Sequence, residues 1–235
     1  GFITTYFHWR WIFWINVPVG MVGILLAYAF VPDARAERSP RLDASGFVLS
    51  GLALVALMAG LTGAGGRVFP GWLTPLLLVL GTLVALAYWR HQRRTPDPIL
   101  NFGLLRIATF RTSVIGGAPF RIAAGAVPFL LPMMLQVGFG LDPFASGSLT
   151  FVAAAGALVM KFTAQPILRR FGFRTVLTVN ALIGAGFLLA IAGFTAATPV
   201  WVIVAVLLVG GFFRSLQFTS LNTIAYADVA NPAMS

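Results

Sequence analysis

Three cations stand inside stretches that are otherwise apolar: Arg121, Lys161 and Arg214. A charge held at membrane depth costs about 2.5–3.5 kcal/mol on insertion scales, so it persists where it is paired, wet or used. None of the six acids shares those stretches. Asp33, Glu37, Asp43, Asp97, Asp142 and Asp228 all fall between the apolar runs or at their ends. The chemistry open to the cations is therefore electrostatic: capping backbone carbonyls, holding an anionic group, or gating a path. At 100° per residue, Arg121, Gly125, Pro128, Pro132 and Gln136 share a sector about 80° wide, which gathers a cation, an amide and two kink-forming prolines on one face. That face reads as lining a cavity or gate, unless Arg121 reaches the polar boundary of its helix by snorkelling. Arg214 lies mid-run, with Gln217 and Phe218 on its face. Its candidate partners are backbone carbonyls, Gln217, Asn222, water, an acid from elsewhere or an anionic substrate group. Lys161 lies under two turns from Arg169 and reads as snorkelling.

The elements that carry these residues follow from composition. Of 235 residues, 59% are hydrophobic and 9% charged, whereas soluble domains run near 25% charged. Uncharged runs long enough to span a bilayer, roughly 20 residues, predict seven helices at about 11–31, 46–64, 72–89, 112–138, 144–166, 176–194 and 200–225. The fold class is thus all-α, a polytopic membrane protein. Alternate loops then share a side. One side collects Arg35, Arg38, Arg41, Arg90, Arg93, Arg94, Arg106, Arg111, Arg169, Arg170 and Arg174; the other has only Arg10 and Arg67. By the positive-inside rule the Arg-rich loops and the C-terminus are cytoplasmic, in a cell (inner) membrane. The net charge of +10 is thereby topological, and a nucleic-acid partner is not expected.

The first run opens with Trp9, Trp11 and Trp14 around Arg10, an interfacial aromatic belt with a snorkelling cation. Asn16 and Pro18 follow. A polar side chain and a helix-breaking proline are tolerated in hydrocarbon when neighbouring helices face them, so they predict packing inside a bundle; Pro128 and Pro132 mark kinks in the fourth span. Asp43 precedes a helical run and reads as an N-cap. On the loop "RRFGFR", Arg169, Arg170 and Arg174 flank Gly172, which permits a tight reversal.

In order along the chain, "WRWIFWINVPVG", "LDASG", "DPILNFGLLRIATFRTS", "LRRFGFRTVL" and "FFRSLQFTSLNTIAYADV" resemble segments of the major facilitator superfamily, in its fourteen-span drug:proton antiporter branch (the EmrB/QacA family). The resemblance implies spans six to twelve, with the other spans of the same chain absent. It implies this organisation: residues 1–31, last helix of the N-terminal bundle; 32–45, cytoplasmic linker; 46–90, an inserted helix pair; 91–111, a cytoplasmic amphipathic segment; 112–235, part of the C-terminal bundle. It also implies a proton-coupled exporter of small amphiphilic substrates working by alternating access, with lipid bilayer, substrate and protons as partners. The proton site would lie in the N-terminal bundle, since no acid lies within these spans. The family's stronger first copy of the "RRFGFR" loop carries an acid that is missing here.

Two other classes are weighed against the transporter. A membrane-embedded enzyme needs clustered nucleophiles, acids or metal ligands. Cysteine is absent, and His8 and His91 fall on opposite sides. A seven-span receptor of the retinal type needs a buried lysine with an acidic counter-ion, and Lys161 has none within the spans. No cofactor, metal site or catalytic residue is expected.

Overall fold

The computed structural model describes residues 3, 6–31, 42–66 and 68–228. Among them all regular structure is helical. Six helices are long and apolar enough to cross a membrane: α1 (Trp11–Phe30), α2 (Ala44–Gly65), α3 (Leu73–Gln92), α4 (Ala108–Gly138), α5 (Pro143–Ala192) and α6 (Val200–Ala225). The linker expected at 32–45 lies mostly outside the described residues, together with Asp33, Arg35, Glu37, Arg38 and Arg41; Arg67 lies outside them too. Two compact units divide the chain: Arg35–Arg106, and Gly1–Ala34 with Ile107–Ser235.

Six helices still make seven passes. At 1.5 Å per residue a straight α5 of 50 residues would be about 75 Å long, far beyond the ~30 Å hydrocarbon layer. Its helical dihedrals break at Gly172, with φ +74° and ψ 156°. Leu149 and Phe194, near opposite ends of this stretch, share one core cluster with Ile203 and Leu207. The chain therefore doubles back at Gly172 into two arms, 143–171 and 173–192. The loop expected at 167–175 is replaced by helix on both sides of that glycine. A positive φ with extended ψ is open to glycine at little cost, so one residue turns the chain without a polar loop. α4 likewise starts at Ala108 rather than 112, through a π-helical segment at Thr112–Gly116, and ends in a second at Met134–Gly138.

Within this unit α6 packs against both arms of α5. Toward one end, Leu149 and Ala153 meet Ile203 and Leu207; toward the other, Met160, Ala164, Leu168 and Val176 surround Leu216. Glycines bring the backbones together. A Cβ on Gly156 would collide with the Leu208 carbonyl, and one on Gly211 with the Ala153 carbonyl. Ser215 Oγ donates to the Ala157 carbonyl at 3.0 Å across the same seam. Close approach of this kind replaces the hydrophobic drive that lipid cannot supply between helices. α1, by contrast, leaves every residue of 11–30 exposed. The packing expected around Asn16 and Pro18 is not made among the described residues. Asn16 Nδ2 instead donates to the Ile12 carbonyl one turn back, at 2.8 Å, so the helix satisfies its own amide donor.

The other unit is an α2–α3 hairpin with a folded-back tail. Gly60 receives Leu78, and Gly81 receives Leu57, a reciprocal leucine-on-glycine contact. Tyr88 Oη accepts the Leu100 N–H at 2.7 Å and donates to the Leu100 carbonyl at 3.0 Å. That pins the tail on α3, where Phe102 packs edge-on against Tyr88 and Arg93 lies over Trp89. The tail continues as a 3-10 turn at Phe102–Arg106, within the stretch expected to be amphipathic. Asp43 makes the N-cap expected of it, its Oδ1 accepting from Gly46 N at 2.8 Å. The same oxygen meets His91 Nε2 at 2.8 Å, and His91 contacts Thr95 Oγ1 at 3.2 Å. A buried carboxylate thus ties the start of α2 to the end of α3.

Two outcomes follow from this packing. Gly211→Val forces α6 off α5 and destabilises the protein by about 1–3 kcal/mol, the usual cost of overpacking. The change is read as a lower unfolding midpoint in detergent, with Gly186→Ala as control because its Cβ would meet open space; equal midpoints for both variants would contradict the close-packed seam. At the hairpin, the Gly46 N–H, and to a lesser extent His91 and Ser45, hold the Asp43 carboxyl below its ordinary 3.8, against the opposing effect of burial. A depressed native pKa means that its stabilisation is complete above the unfolded value and lost as pH falls through the native one. Asp43→Ala accordingly lowers the midpoint at neutral pH, and its difference from wild type shrinks as pH falls below 3.8. A gap that is independent of pH in that window would remove the carboxylate from the account.

Candidate functional site

The cavity of interest lies within the Ile107–Ser235 part of the chain, between α4, the second arm of α5, and α6. It has a volume of about 340 Å³ and is lined mainly by apolar groups, including Phe120, Val127, Leu188 and Ile191. Small residues create it. Ala181, Gly184 and Ala185 on α5 face Gly210 and Gly211 on α6 across the space, and a Cβ on Gly184 would meet nothing within 4 Å. The same amino-acid types that bring helices together at Gly156 leave room here at Gly184, whereas Gly210 receives Phe187 of the second arm.

Three polar side chains reach the wall: Asn180, Gln217 and Arg214. The two amides are joined. Asn180 Nδ2 donates to Gln217 Oε1 at 2.7 Å and to the Phe213 carbonyl at 2.9 Å, while Gln217 Nε2 donates to the Leu177 carbonyl at 3.3 Å. Both residues are buried, and Asn180 Oδ1 is sealed off with no partner. Arg214, half-buried on the neighbouring turn of α6, has no hydrogen bond or ion pair with any described residue. The wall thus presents an unused guanidinium beside two buried amides bonded to each other and to backbone carbonyls.

Arg121 lies elsewhere. Its Nη1 donates to the Ser113 carbonyl at 2.6 Å, and its Nη2 reaches Asn222 Oδ1 at 3.3 Å and Ser113 Oγ at 3.4 Å. Ser113 is fully buried and donates from Oγ to the Leu221 carbonyl at 2.7 Å. The π-segment of α4 is thereby laced to the end of α6. The face expected to join Arg121 to Gln136 is largely exposed, and Gln136 Nε2 donates to Ser146 Oγ at 3.2 Å. The closing π-turn rotates Gln136 off the ideal 100° repeat. So Arg121 comes together with Asn222, and Arg214 with Gln217, as two separate groups. Pro128 and Pro132 sit inside α4. Lys161 is exposed, as are Arg169, Arg170, Gly172 and Arg174 around the reversal, with Arg170 over the Phe171 ring.

Ser113 and Asn180 are the residues that reading for charge overlooks. A lone Asn within the uncharged run 175–213 was the available signal, because a buried amide in hydrocarbon must find partners. Ser113 carried none, since serines occur widely in membrane helices.

Comparison with known proteins bears on this arrangement. Residues 1–234 match the family model described as Major Facilitator Superfamily. The chain is 32% identical over its whole length to "Putative multidrug resistance protein MdtD" of Pectobacterium atrosepticum, covering 50% of that protein. It is 33% identical over 98% of its length to "Probable transport protein HsrA" of Haemophilus influenzae, again covering 50%, and 32% identical over 98% to an MdtD of Yersinia enterocolitica, covering 49%. It therefore spans about half the length of the curated relatives it matches. With six membrane-type helices, paired glycine seams and a family match over nearly every residue, the chain is a multi-pass membrane protein and belongs to the major facilitator superfamily.

Proposed function

We propose that this chain is part of a secondary-active transporter that exports small amphiphilic compounds by alternating access, and that the complete protein couples export to protons. The observation that carries the reading is the cavity of α4, α5 and α6, apolar but for an unpaired guanidinium and two bonded amides. A pocket of this make-up holds an amphiphile by its body and orients it by few polar contacts. The names of the relatives, a multidrug resistance protein and a transport protein, agree with it. Transport is favoured over catalysis and over a receptor role by the family.

The finer reading places the chain as spans six to twelve of the fourteen-span EmrB/QacA branch, with α2 and α3 as the inserted pair. Half-length coverage of the relatives supports this, as does the separation of the Arg35–Arg106 unit. Arg-rich connections lie in the cytoplasm of a cell (inner) membrane by the positive-inside rule. No acid lies within the described spans, so the proton carrier belongs to the rest of the protein. Arg214 and Gln217 then belong to the substrate path, while Arg121 and Asn222 act as a brace or gate between α4 and α6.

Two measurements check this. In proteoliposomes of the full-length protein, an outward-directed proton gradient (lumen acidic) drives uptake of a fluorescent amphiphile through the inside-out-oriented molecules only while the gradient stands. Arg214→Ala lowers the rate about tenfold, equivalent to ~1.4 kcal/mol, at unchanged abundance. Uptake that is indifferent to the gradient would end the antiport reading. In intact cells, a cysteine placed at Thr198 reacts with an impermeant thiol reagent and one at Thr95 does not; the reverse pattern would invert the topology.

A further inference from the structure

We propose that the cavity selects an amphiphilic monoanion, held through its carboxylate or an equivalent oxyanion by the Arg214 guanidinium. This rests on the reading of that cavity as a substrate site and adds the charge class of the ligand. The argument is a census of its polar side chains. Asn180 uses Nδ2 on Gln217 and on the Phe213 carbonyl; Gln217 uses Nε2 on the Leu177 carbonyl and Oε1 on Asn180. The remaining amide acceptor, Asn180 Oδ1, is closed to solvent. Apart from one N–H left on the buried Gln217 amide, the unspent donors are those of Arg214, which has no acceptor to use them on among the described residues. The remaining lining side chains are glycine, alanine, proline, valine, leucine, isoleucine and phenylalanine.

Such a wall discriminates by charge. A cation would meet an unneutralised guanidinium in a low-dielectric space, and like charges at that range repel strongly. A neutral ligand could accept a hydrogen bond but would leave the guanidinium charge uncompensated in that space. A carboxylate matches the planar fork with two parallel N–H···O bonds, and an apolar body fills the space beside Ala181, Gly184 and Ala185. Arginine cannot escape its charge by losing a proton, so an anion is the direct remedy. Two sources have this chemistry: a dissolved organic acid and the phosphate of an anionic lipid.

The test uses purified full-length protein and three probes with one skeleton: naphthaleneacetate, naphthaleneacetamide and naphthylethylammonium. By titration calorimetry at neutral pH in neutral detergent, the acetate binds about tenfold or more tightly than the amide, and the ammonium binds weakest, as expected when a charged hydrogen bond is lost. Arg214→Gln abolishes the preference for the acetate. Gly184→Leu, whose side chain enters open space, weakens all three probes. The wild-type ranking and Gly184→Leu stand even if Arg214→Gln fails to fold. Repeating the titration in nanodiscs of phosphatidylcholine, with and without phosphatidylglycerol, identifies the source. Competition that depends on Arg214 assigns the site to lipid phosphate, and its absence assigns it to a dissolved acid. Equal affinity for the three probes, a tighter ammonium, or an acetate preference surviving Arg214→Gln overturns the proposal. Acetate binding without gradient-driven export would leave the site standing and remove the transport reading; gradient-driven export without acetate preference would do the reverse.

Discussion

The contact of α5 and α6 at Gly156 and Gly211 sets the geometry on which the larger unit depends. With a glycine on each helix lying against the other's backbone carbonyl, the first arm of α5 and α6 are held at close range. Two core clusters then close on either side of that seam, and Ser215 bonds across it. Because the first arm is held so tightly, the second arm returns from Gly172 against the flank of α6. There small residues face small residues, and the space between them is the cavity. Membrane helices have no hydrophobic effect between them to close such a gap. It remains as a defined pocket, bounded by α4, rather than collapsing.

Most polar donors within the helices find an acceptor rather than face hydrocarbon, with Thr109 Oγ1 and Arg214 as exceptions among the described residues. Many do so locally. Thr62, Thr82 and Ser220 donate to the carbonyl four residues back, and Asn16 does the same with its amide. Arg121 does so at longer range, through a carbonyl of the π-segment and the side chain of Asn222. The π-geometry matters here, since Gly117 N is shared between the Thr112 and Ser113 carbonyls and leaves acceptor capacity at Ser113. Arg214 lies on a regular stretch of α6, and the neighbouring Phe213 carbonyl already accepts from Asn180 Nδ2. The two arginines thus end in opposite states, Arg121 bonded across to α6 and Arg214 without a partner among the described residues.

The membrane class, the helical fold and the places where the chain turns were legible because they depend on local quantities: run length, charge and a glycine between basic residues. Asp43 was legible as a cap for the same reason. The distribution of polar residues into sites was not. The face joining Arg121 to Gln136 assumed an uninterrupted 100° repeat, and the π-segment at Met134–Gly138 broke it. The pairing of Arg121 with Asn222 joins residues far apart in sequence, and no local pattern encodes it. Small residues on the second arm suit close packing by composition, yet whether they pack or leave a hollow depends on the facing helix. The coupling of Asp43 to His91 was hidden likewise, since it depends on the α2–α3 hairpin.

The charge balance of α6 leads to the final step. No described carboxylate lies within a span, so Arg214 must be balanced from outside the segments seen here, by a ligand or by another part of the protein. On the proposed transport reading, that balance would be exchanged rather than permanent. The helix next to the cavity is suited to such exchange. α4 has π-turns near both ends and Pro128 and Pro132 between them, so its ladder of backbone bonds is interrupted at several points and bends there at low cost. The Arg121–Ser113–Asn222 brace holds one end of that helix to α6, and Phe120 packs edge-on against Phe218 beside it. On the proposed reading, an anion that neutralised Arg214 would lower the electrostatic cost of closing the cavity around it, and so would link occupancy to shape without an acid in the same helices.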